Sequence, residues 1–435
     1  MSESLPDSAA DSDSRASKQL TIRILIGMGA GVLLGVGLNL LRTYALSAET
    51  AAIVQTWVSD GVLHAVGRIF VNLLQVIVIP LVLTSLISGT AAMEDIVKVG
   101  RVGLKTLGFY LATTTIALVL AMTAALIVRP GASFELESEV EFSANEAPAL
   151  VDVLIGVFPR NIFESMTGGE MLPIIVFAVL FGLSITMAGA PGRRVLAFIE
   201  DANEVVMKLV WIVMQLAPYG VFALIARTFA NEGFTAFVPL LKYFGVVLAV
   251  LLLHLAVTYP VLLKLLSGLD PLQFLRKLRE VQLFAFSTAS SNATIPVSLR
   301  TVEHRLGVKN SIASFSIPLG ATINMDGTAI MQGVATVFIA QVYGFDLGLG
   351  ALLTVVVTAV LASIGTAGVP GVGLIMLAMV LQQVNLPVEG IGLIIGIDRL
   401  LDMVRTAVNV TGDCAVTCIV AKSEGEWDEP VFRAP

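Results

Sequence analysis

Along this chain, long apolar stretches alternate with short polar ones. Stretches with few or no charges cover roughly 24–41, 69–93, 106–128, 171–188, 205–226, 237–263 and 310–342. Crossing a bilayer core takes about 20 apolar helical residues. Lipid accepts only backbones that satisfy their own hydrogen bonds, as helices do. The pattern predicts an all-α polytopic membrane protein. Ahead of the first stretch, residues 1–20 are rich in Ser and Asp and poor in large apolar side chains. They are expected to form a disordered tail. They do not read as a cleaved leader, because no basic opening and no compact cleavage site is present.

After residue 270 the regular alternation fails. FSTASSNATIPVSL (286–299) and ASIGTAGVPGVGL (362–374) are apolar but interrupted by Ser, Thr, Pro and, in the second, Gly. Proline removes a helical hydrogen bond and glycine loosens the backbone. Each segment is therefore expected to be a helix–turn–helix that enters the membrane and returns. Each is followed by a long helix with its own polar interruption: 310–342 holds NMDGT (324–328), and 388–422 holds GIDRLLDMVRTAVNVTGD (396–413). The unit occurs twice, entering once from each side, as an inverted repeat. Secondary transporters place substrate and ion sites where such polar tips meet.

The last of these helices carries the most unusual pattern. At about 100° per residue, Asp398, Asp402, Arg405, Asn409 and Asp413 fall within about 80° of one another. Leu400, Leu401, Val404, Val408 and Val410 occupy the other sides. A charge at the bilayer centre costs about 3 to more than 10 kcal/mol. Buried ion pairs are often no more stable than apolar replacements. The stripe is therefore expected to meet a charged ligand and ions, the alternative being an internal salt-bridged framework. Arg405 offers a planar fork suited to a carboxylate. Asp402, one turn earlier, can accept from an ammonium, and Asn409 can serve a second carboxylate or an amide. That combination describes a zwitterion with an extra carboxylate. Asn324, Asp326 and Thr322 are hard oxygen donors at an expected helix break, matched to Na⁺, and Asp413 is a further candidate carboxylate. The further spaced acids of a calcium loop are missing.

Composition narrows the reading. The 435 residues are 56% hydrophobic and 14% charged, with mean hydropathy +0.89. A net charge of −7 gives no reason to expect a nucleic-acid partner. Cys414 and Cys418 fit small membrane-core residues better than a metal pair. His64, His254 and His304 show no ligand spacing. Lys98, Arg101, Lys105, Arg193, Arg194, Lys208, Arg276, Lys277, Arg279, Arg300, Arg305 and Lys309 mark cytoplasmic loops. The acidic segment 133–152 falls outside, and both termini fall inside. No long glycosylatable outer loop is evident, which fits the plasma (inner) membrane of a bacterium.

ASSNATIP, PLGATINMDGT, SIGTAGVPG and DRLLDMVRTAVNVTGD, in this order and spacing, resemble the dicarboxylate/amino acid:cation symporters, the glutamate transporter family. The resemblance spans about 20–423 and agrees with GRIFVNLLQVIVIPLV (67–82). It implies a lipid-embedded homotrimer, each protomer having eight spans and two re-entrant hairpins, with a transport domain sliding against a trimerisation scaffold. It divides the chain into the tail 1–20, scaffold 21–105, transport helix 106–130, outer loop and scaffold 131–232, transport helix 233–270, transport core 271–423 and tail 424–435. It implies that Ser290, Ser291, Val369 and Gly373 hold substrate carboxylates. Thr328 and Arg405 would take the side-chain carboxylate, Asp402 and Thr406 the amino group, and Asn409 the α-carboxylate. Na⁺, as coupling ion and with no other cofactor, would use three groups. The first is Asp413 with carbonyls of Gly320, Asn324 and Asn409. The second is carbonyls of Thr322, Ser363, Ile364 and Thr366. The third is Asp326, Asn324, Thr113, Thr114 and the carbonyl of Tyr110.

Members of the family commonly carry an extra arginine at the positions that are Ala289 and Met403 here. Arg399 is a candidate for that role, the alternative being pairing with a backbone carbonyl or with Asp398. The expected function is sodium-coupled symport of L-aspartate or L-glutamate, and not an enzymatic one. A neutral amino-acid carrier and a proton-coupled glutamate or dicarboxylate carrier are the alternatives within the family. A channel or a membrane hydrolase are those outside it. Ser290 and Ser291 have no histidine or lysine evidently placed to activate them.

Overall fold

The computed structural model describes residues 8–91, 96–132, 158–168, 171–233, 237–364, 368 and 370–434. Among these the chain is helical, apart from one bridging pair, Val308 with Trp427. The acidic segment expected at 133–152 lies outside the described residues.

Helix α1 (Ser8–Tyr44) begins inside the segment expected to be disordered. Ala, Arg, Lys and Gln in that segment are good helix formers, and the membrane helix propagates back through them. Helix α2 (Ala48–Val54), a π-helical stretch (Gln55–Leu63) and α3 (His64–Ala91) follow as one rod. Helix α4 (Ile96–Val128) precedes α5 (Ile162–Gly168), α6 (Met171–Met187), α7 (Ala190–Gln215) and α8 (Ala217–Glu232). The apolar stretch 205–226 does not form one span. It is divided at Leu216, before Pro218, where α7 and α8 bend by 47°.

Helices α1, α3, α6, α7 and α8 pack on one another. The α1–α8 contact is close because α1 presents Gly27, Gly31 and Gly35 at four-residue spacing. A Cβ on these would lie 2.5 Å from Pro218 O, 2.8 Å from Phe222 O and 2.5 Å from Ala226 O. Small residues at this spacing let helices approach through their backbones where no hydrophobic effect drives them together.

The remaining elements gather around one central helix. They are α9 (Phe237–Leu253), a π-helical turn (His254–Thr258), α10 (Tyr259–Ser267), α11 (Pro271–Lys277), α12 (Arg279–Thr288), α13 (Ser291–His304), α14 (Asn310–Ile323), α15 (Asp326–Val342), α16 (Leu349–Ser363), α17 (Val372–Gln383), α18 (Ile391–Glu424) and α19 (Glu429–Arg433). Helix α18 is the axis, packed by α4, α9, α10, α12, α13, α14 and α15. The 310–342 stretch is two helices. Asn324 (φ −89°, ψ 87°) and Met325 (φ −112°, ψ 47°) leave the helical region between them.

Two helix pairs fold back on themselves. Helices α12 and α13 pack together across Ala289, which takes a left-handed conformation (φ 50°). Ser290 caps α13 by accepting from the Ala293 N–H at 3.2 Å. Helices α16 and α17 pack likewise. Gly371 opens α17 at φ +85°, which a side chain would strain.

Past α18 the chain turns at Gly425 and straps the far end of the α12–α13 pair. Asp428 N–H donates to Gly307 O (2.7 Å), Lys309 N–H to Glu426 O (3.1 Å) and Trp427 Nε1–H to Leu306 O (2.8 Å). Lys277 donates to Phe432 O (2.7 Å). Glu424 is paired with Lys105 and Arg101. Those hydrogen bonds, from Lys105 first and then Arg101, hold its carboxyl below the usual range. A depressed carboxylate pKa adds stability above the unfolded value, and that stability is lost as pH falls through the folded one. Acid titration is therefore expected to leave Trp427 fluorescence, isolated by comparison with Trp427→Phe, unchanged down to about pH 4 and to move it only below.

Candidate functional site

Asp398, Asp402, Arg405, Thr406, Asn409 and Asp413 are all buried on α18. Arg405 is the hub. Its Nη1 donates to Asp398 Oδ1 at 3.0 Å and its Nη2 to Asp402 Oδ1 at 2.5 Å. The other oxygen of Asp402 accepts from Arg399 Nη1 (3.2 Å) and from the Gly371 N–H (3.3 Å). Thr406 Oγ1 donates to Asp402 O at 2.8 Å. The Asp398–Arg405 part of the stripe expected to face a charged ligand is thus paired internally, two arginines against two aspartates. Residues three, four and seven apart share a helix face, and a buried charge without a partner is far costlier than a paired one. Arg399 takes Asp402 as its partner here, which places it beside the carboxylate expected to bind the substrate ammonium.

Backbone from other elements closes on this hub. A Cβ on Gly373 would lie 2.9 Å from Arg405 Nη2, and one on Gly327 would lie 2.6 Å from Arg405 O. Gly327 N–H donates to Asn409 Oδ1 at 2.7 Å, and Asn409 Nδ2 lies 3.3 Å from Met325 Sδ. Thr328 sits in the same turn, 3.9 Å from that sulfur. The two folded-back pairs touch at their tips. Ser290 Oγ donates to Gly368 O at 2.7 Å, and Asn292 N–H donates to the same oxygen at 3.1 Å. Three residues on, Gly371 reaches Asp402. The second tip therefore bridges the first tip and the charged hub, with Ser291 buried alongside. Val369 and Thr366 lie outside the described residues.

A second polar nest lies deeper along α18. Asp413 Oδ1 accepts from Asn324 Nδ2 at 2.9 Å, and the same amide lies 3.5 Å from Asn409 O. Thr113 Oγ1 is 3.3 Å from Asn324 Oδ1 and donates to Tyr110 O at 3.0 Å. Thr114 Oγ1 donates to Asp326 Oδ1 at 2.6 Å. The sequence-identified donors thereby fall into two adjacent hydrogen-bonded sets, Tyr110, Thr113, Asn324, Asn409 and Asp413 in one and Thr114 with Asp326 in the other. Among the described residues, neither Asp413 nor Asp326 is paired with a lysine or arginine. The hydroxyls of Thr322 and Ser363 bond back to their own helices at Leu319 O (2.9 Å) and Val360 O (2.7 Å). Main-chain carbonyls are the donors left to the group expected at Thr322, Ser363 and Ile364.

Gly320 allows this nest to form. A Cβ there would lie 2.6 Å from Asp413 Oδ1 and 2.7 Å from Tyr110 Oη. Gly320→Ala is expected to displace Asp413 and to weaken cation-dependent thermal stabilisation about tenfold or more, measured as the Na⁺ concentration giving half the maximal melting shift.

Reading by residue type missed several members. His254 Nε2 and Tyr259 Oη lie 3.2 and 2.8 Å from Asp326 Oδ2. Met325 and Gly371 line the hub through sulfur and backbone. A histidine inside an apolar span was itself a signal, since intramembrane ionisable groups are rare and functional.

Polar tips and a charged helix meeting inside apolar helices are the layout of a secondary transporter. The profile of the sodium:dicarboxylate symporter family matches residues 20–423, and the chain belongs to this family. It is 38% identical over 377 residues to the proton/sodium-glutamate symport protein of Geobacillus stearothermophilus, covering 84% of this chain and 89% of that one. It is 36% identical over 426 residues to the proton/glutamate-aspartate symporter of Escherichia coli (strain K12), covering 94% of each. It is 33% identical over 411 residues to excitatory amino acid transporter 3 of Mus musculus, covering 82% of this chain and 78% of that one. The protein is a multi-pass membrane symporter and not an enzyme.

Proposed function

We propose that the protein carries L-aspartate and L-glutamate into the cell with Na⁺. The observation that carries this reading is the sharing of Asp402 between Arg405 and Arg399. A substrate side-chain carboxylate competes with Asp402 for the Arg405 fork. Asp402, once displaced, accepts the substrate ammonium, one turn away on the same face. A neutral amino acid offers nothing to replace Asp402 on Arg405, and a simple dicarboxylate offers nothing to Asp402. Asn409, the Ser290–Ser291 tip and the backbone at 369–373 then receive the α-carboxylate, with Thr328 and Thr406 completing the pocket.

The cation role rests on Asp413 and Asp326, two buried carboxylates that no lysine or arginine pairs with among the described residues. An uncompensated buried carboxylate is costly, and a monovalent cation held with nearby carbonyls and hydroxyls offsets that cost. A net-anionic substrate then enters alongside positive charge.

In this reading the protomer has eight spans and two re-entrant hairpins, and works as a homotrimer in the inner membrane with both termini cytoplasmic. Helices α1, α3 and α6–α8 form the static scaffold. The elements around α18 form the moving domain of an elevator, with the second hairpin as outer gate. The gathering of α4 and α9–α17 around α18, and of α3 and α6–α8 around one another, supports that division, with α3 and α8 also lying against the moving group.

Titration calorimetry of the purified protein tests the substrate assignment, using aspartate, glutamate, serine, alanine and succinate in NaCl and in choline chloride. Heat with the two acidic amino acids in NaCl alone is the expected result. Heat with serine or alanine instead would mark a neutral carrier. Equal heats in choline, growing with acidity, would mark proton coupling.

A further inference from the structure

We propose that His254 and Tyr259 are positioning residues for cation coupling. They fasten one oxygen of Asp326, so that the other is presented to the ion. The inference rests on the cation reading above and adds to it a part of the chain that residue types did not single out.

The local backbone makes this contact possible. His254 and Tyr259 are five residues apart. On an α-helix they would point about 140° away from each other. Between them the helix switches to π geometry over His254–Thr258, and the Tyr259 N–H closes an i→i+5 bond to His254 O. That wider turn brings the two side chains to one side, with ring centroids 4.5 Å apart in an edge-on arrangement. Isolated π turns of this kind are frequent at functional sites. Gly412 on α18 supplies the room: a Cβ there would lie 2.4 Å from Tyr259 Oη and 2.6 Å from Asn324 Nδ2.

The hydrogen bonds at Asp326 then divide by oxygen. An ionised carboxylate only accepts. Oδ2 therefore accepts from Tyr259 Oη at 2.8 Å and from His254 Nε2 at 3.2 Å. Among the described residues Oδ1 accepts from Thr114 Oγ1 alone, at 2.6 Å, and keeps lone-pair capacity beside Thr114, Thr113 and Asn324. His254 is fully buried, and its Nδ1 has no hydrogen-bond partner among the described residues. Among the described residues its polar contact is with Asp326 alone. A histidine kept for packing would not need this orientation, nor a π turn to achieve it. Partners that orient a ligand typically change metal affinity by about 10–100-fold when removed.

The test uses full-length purified protein without substrate, and reads the Na⁺ concentration giving half the maximal melting shift. Tyr259→Phe and His254→Leu are each expected to raise that concentration about tenfold or more. His254→Gln, which keeps an N–H donor, is expected to stay nearer the parent. Aspartate affinity at saturating Na⁺ should be unchanged in all three. If Tyr259→Phe and His254→Leu lower the melting temperature at every Na⁺ concentration but leave the half-maximal concentration in place, the two residues only pack and the proposal is overturned. Asp326→Asn serves as the reference. A shift in that variant without one in the other two refutes the positioning role alone. No shift even in Asp326→Asn removes the cation site, and the proposal with it.

Discussion

Replacing Arg405 with alanine is expected to weaken aspartate and glutamate binding by about 100-fold or more. The fork makes two charge-assisted hydrogen bonds, each worth about 1.5–3 kcal/mol, and every 1.4 kcal/mol is about a factor of ten. In the structure the same two donors serve Asp398 (3.0 Å) and Asp402 (2.5 Å). The substitution therefore also leaves two buried carboxylates short of a partner, at a cost of about 3–5 kcal/mol in stability. Arg405→Lys separates these effects. It keeps the charge but loses the planar fork, so stability should largely return while affinity for acidic substrates should not. Calorimetry with aspartate, beside thermal melts of both variants, checks the pair.

Asp413→Asn is expected to leave the fold standing and to remove most of the Na⁺ dependence. The asparagine can still accept from Asn324 Nδ2, now 2.9 Å from Asp413 Oδ1, so the local hydrogen bond survives. The negative charge does not. A buried site without formal charge loses more than the roughly 10–100-fold that orienting partners cost. Uptake of aspartate at a fixed low Na⁺ concentration should fall accordingly, with partial recovery at high Na⁺. Full activity of Asp413→Asn at low Na⁺ would show that the carboxylate does not hold the coupling ion.

Much of this architecture was legible in residue order. Proline, glycine and hydroxyl residues break an apolar stretch for local reasons, so the turn at 289–291, the opening of α17 at Gly371 and the break at NMDGT were visible in the sequence. So was the face shared by Asp398, Asp402, Arg405, Asn409 and Asp413, because helical periodicity needs only spacing. Partner choice was not. Whether Arg405 meets a ligand or its own helix depends on side-chain reach and on the backbone at Gly371 and Gly373, which comes from another part of the chain. The His254–Tyr259 arrangement was hidden for a different reason: it depends on a π turn, and spacing arguments assume an α-helix. The strap made by 425–433 rests partly on backbone pairs, Asp428 with Gly307 and Lys309 with Glu426, and side-chain identity carries almost no trace of those; the Trp427 and Lys277 bonds are to backbone carbonyls, which any residue supplies. Arg399, the candidate for the arginine that Ala289 and Met403 lack, pairs with Asp402 rather than with Asp398, a choice that spacing alone did not decide.

The central claim is that the buried Asp402–Arg405 pair opens to an acidic amino acid whose entry is coupled to Na⁺. The most direct measurement is uptake of radiolabelled L-aspartate into proteoliposomes, with an inward Na⁺ gradient and with equal Na⁺ on both sides. Concentrative uptake that needs the gradient, is blocked by excess L-glutamate and is absent in Asp402→Ala is the predicted result. Uptake that ignores the Na⁺ gradient, or that persists at the parent rate in Asp402→Ala, would contradict it.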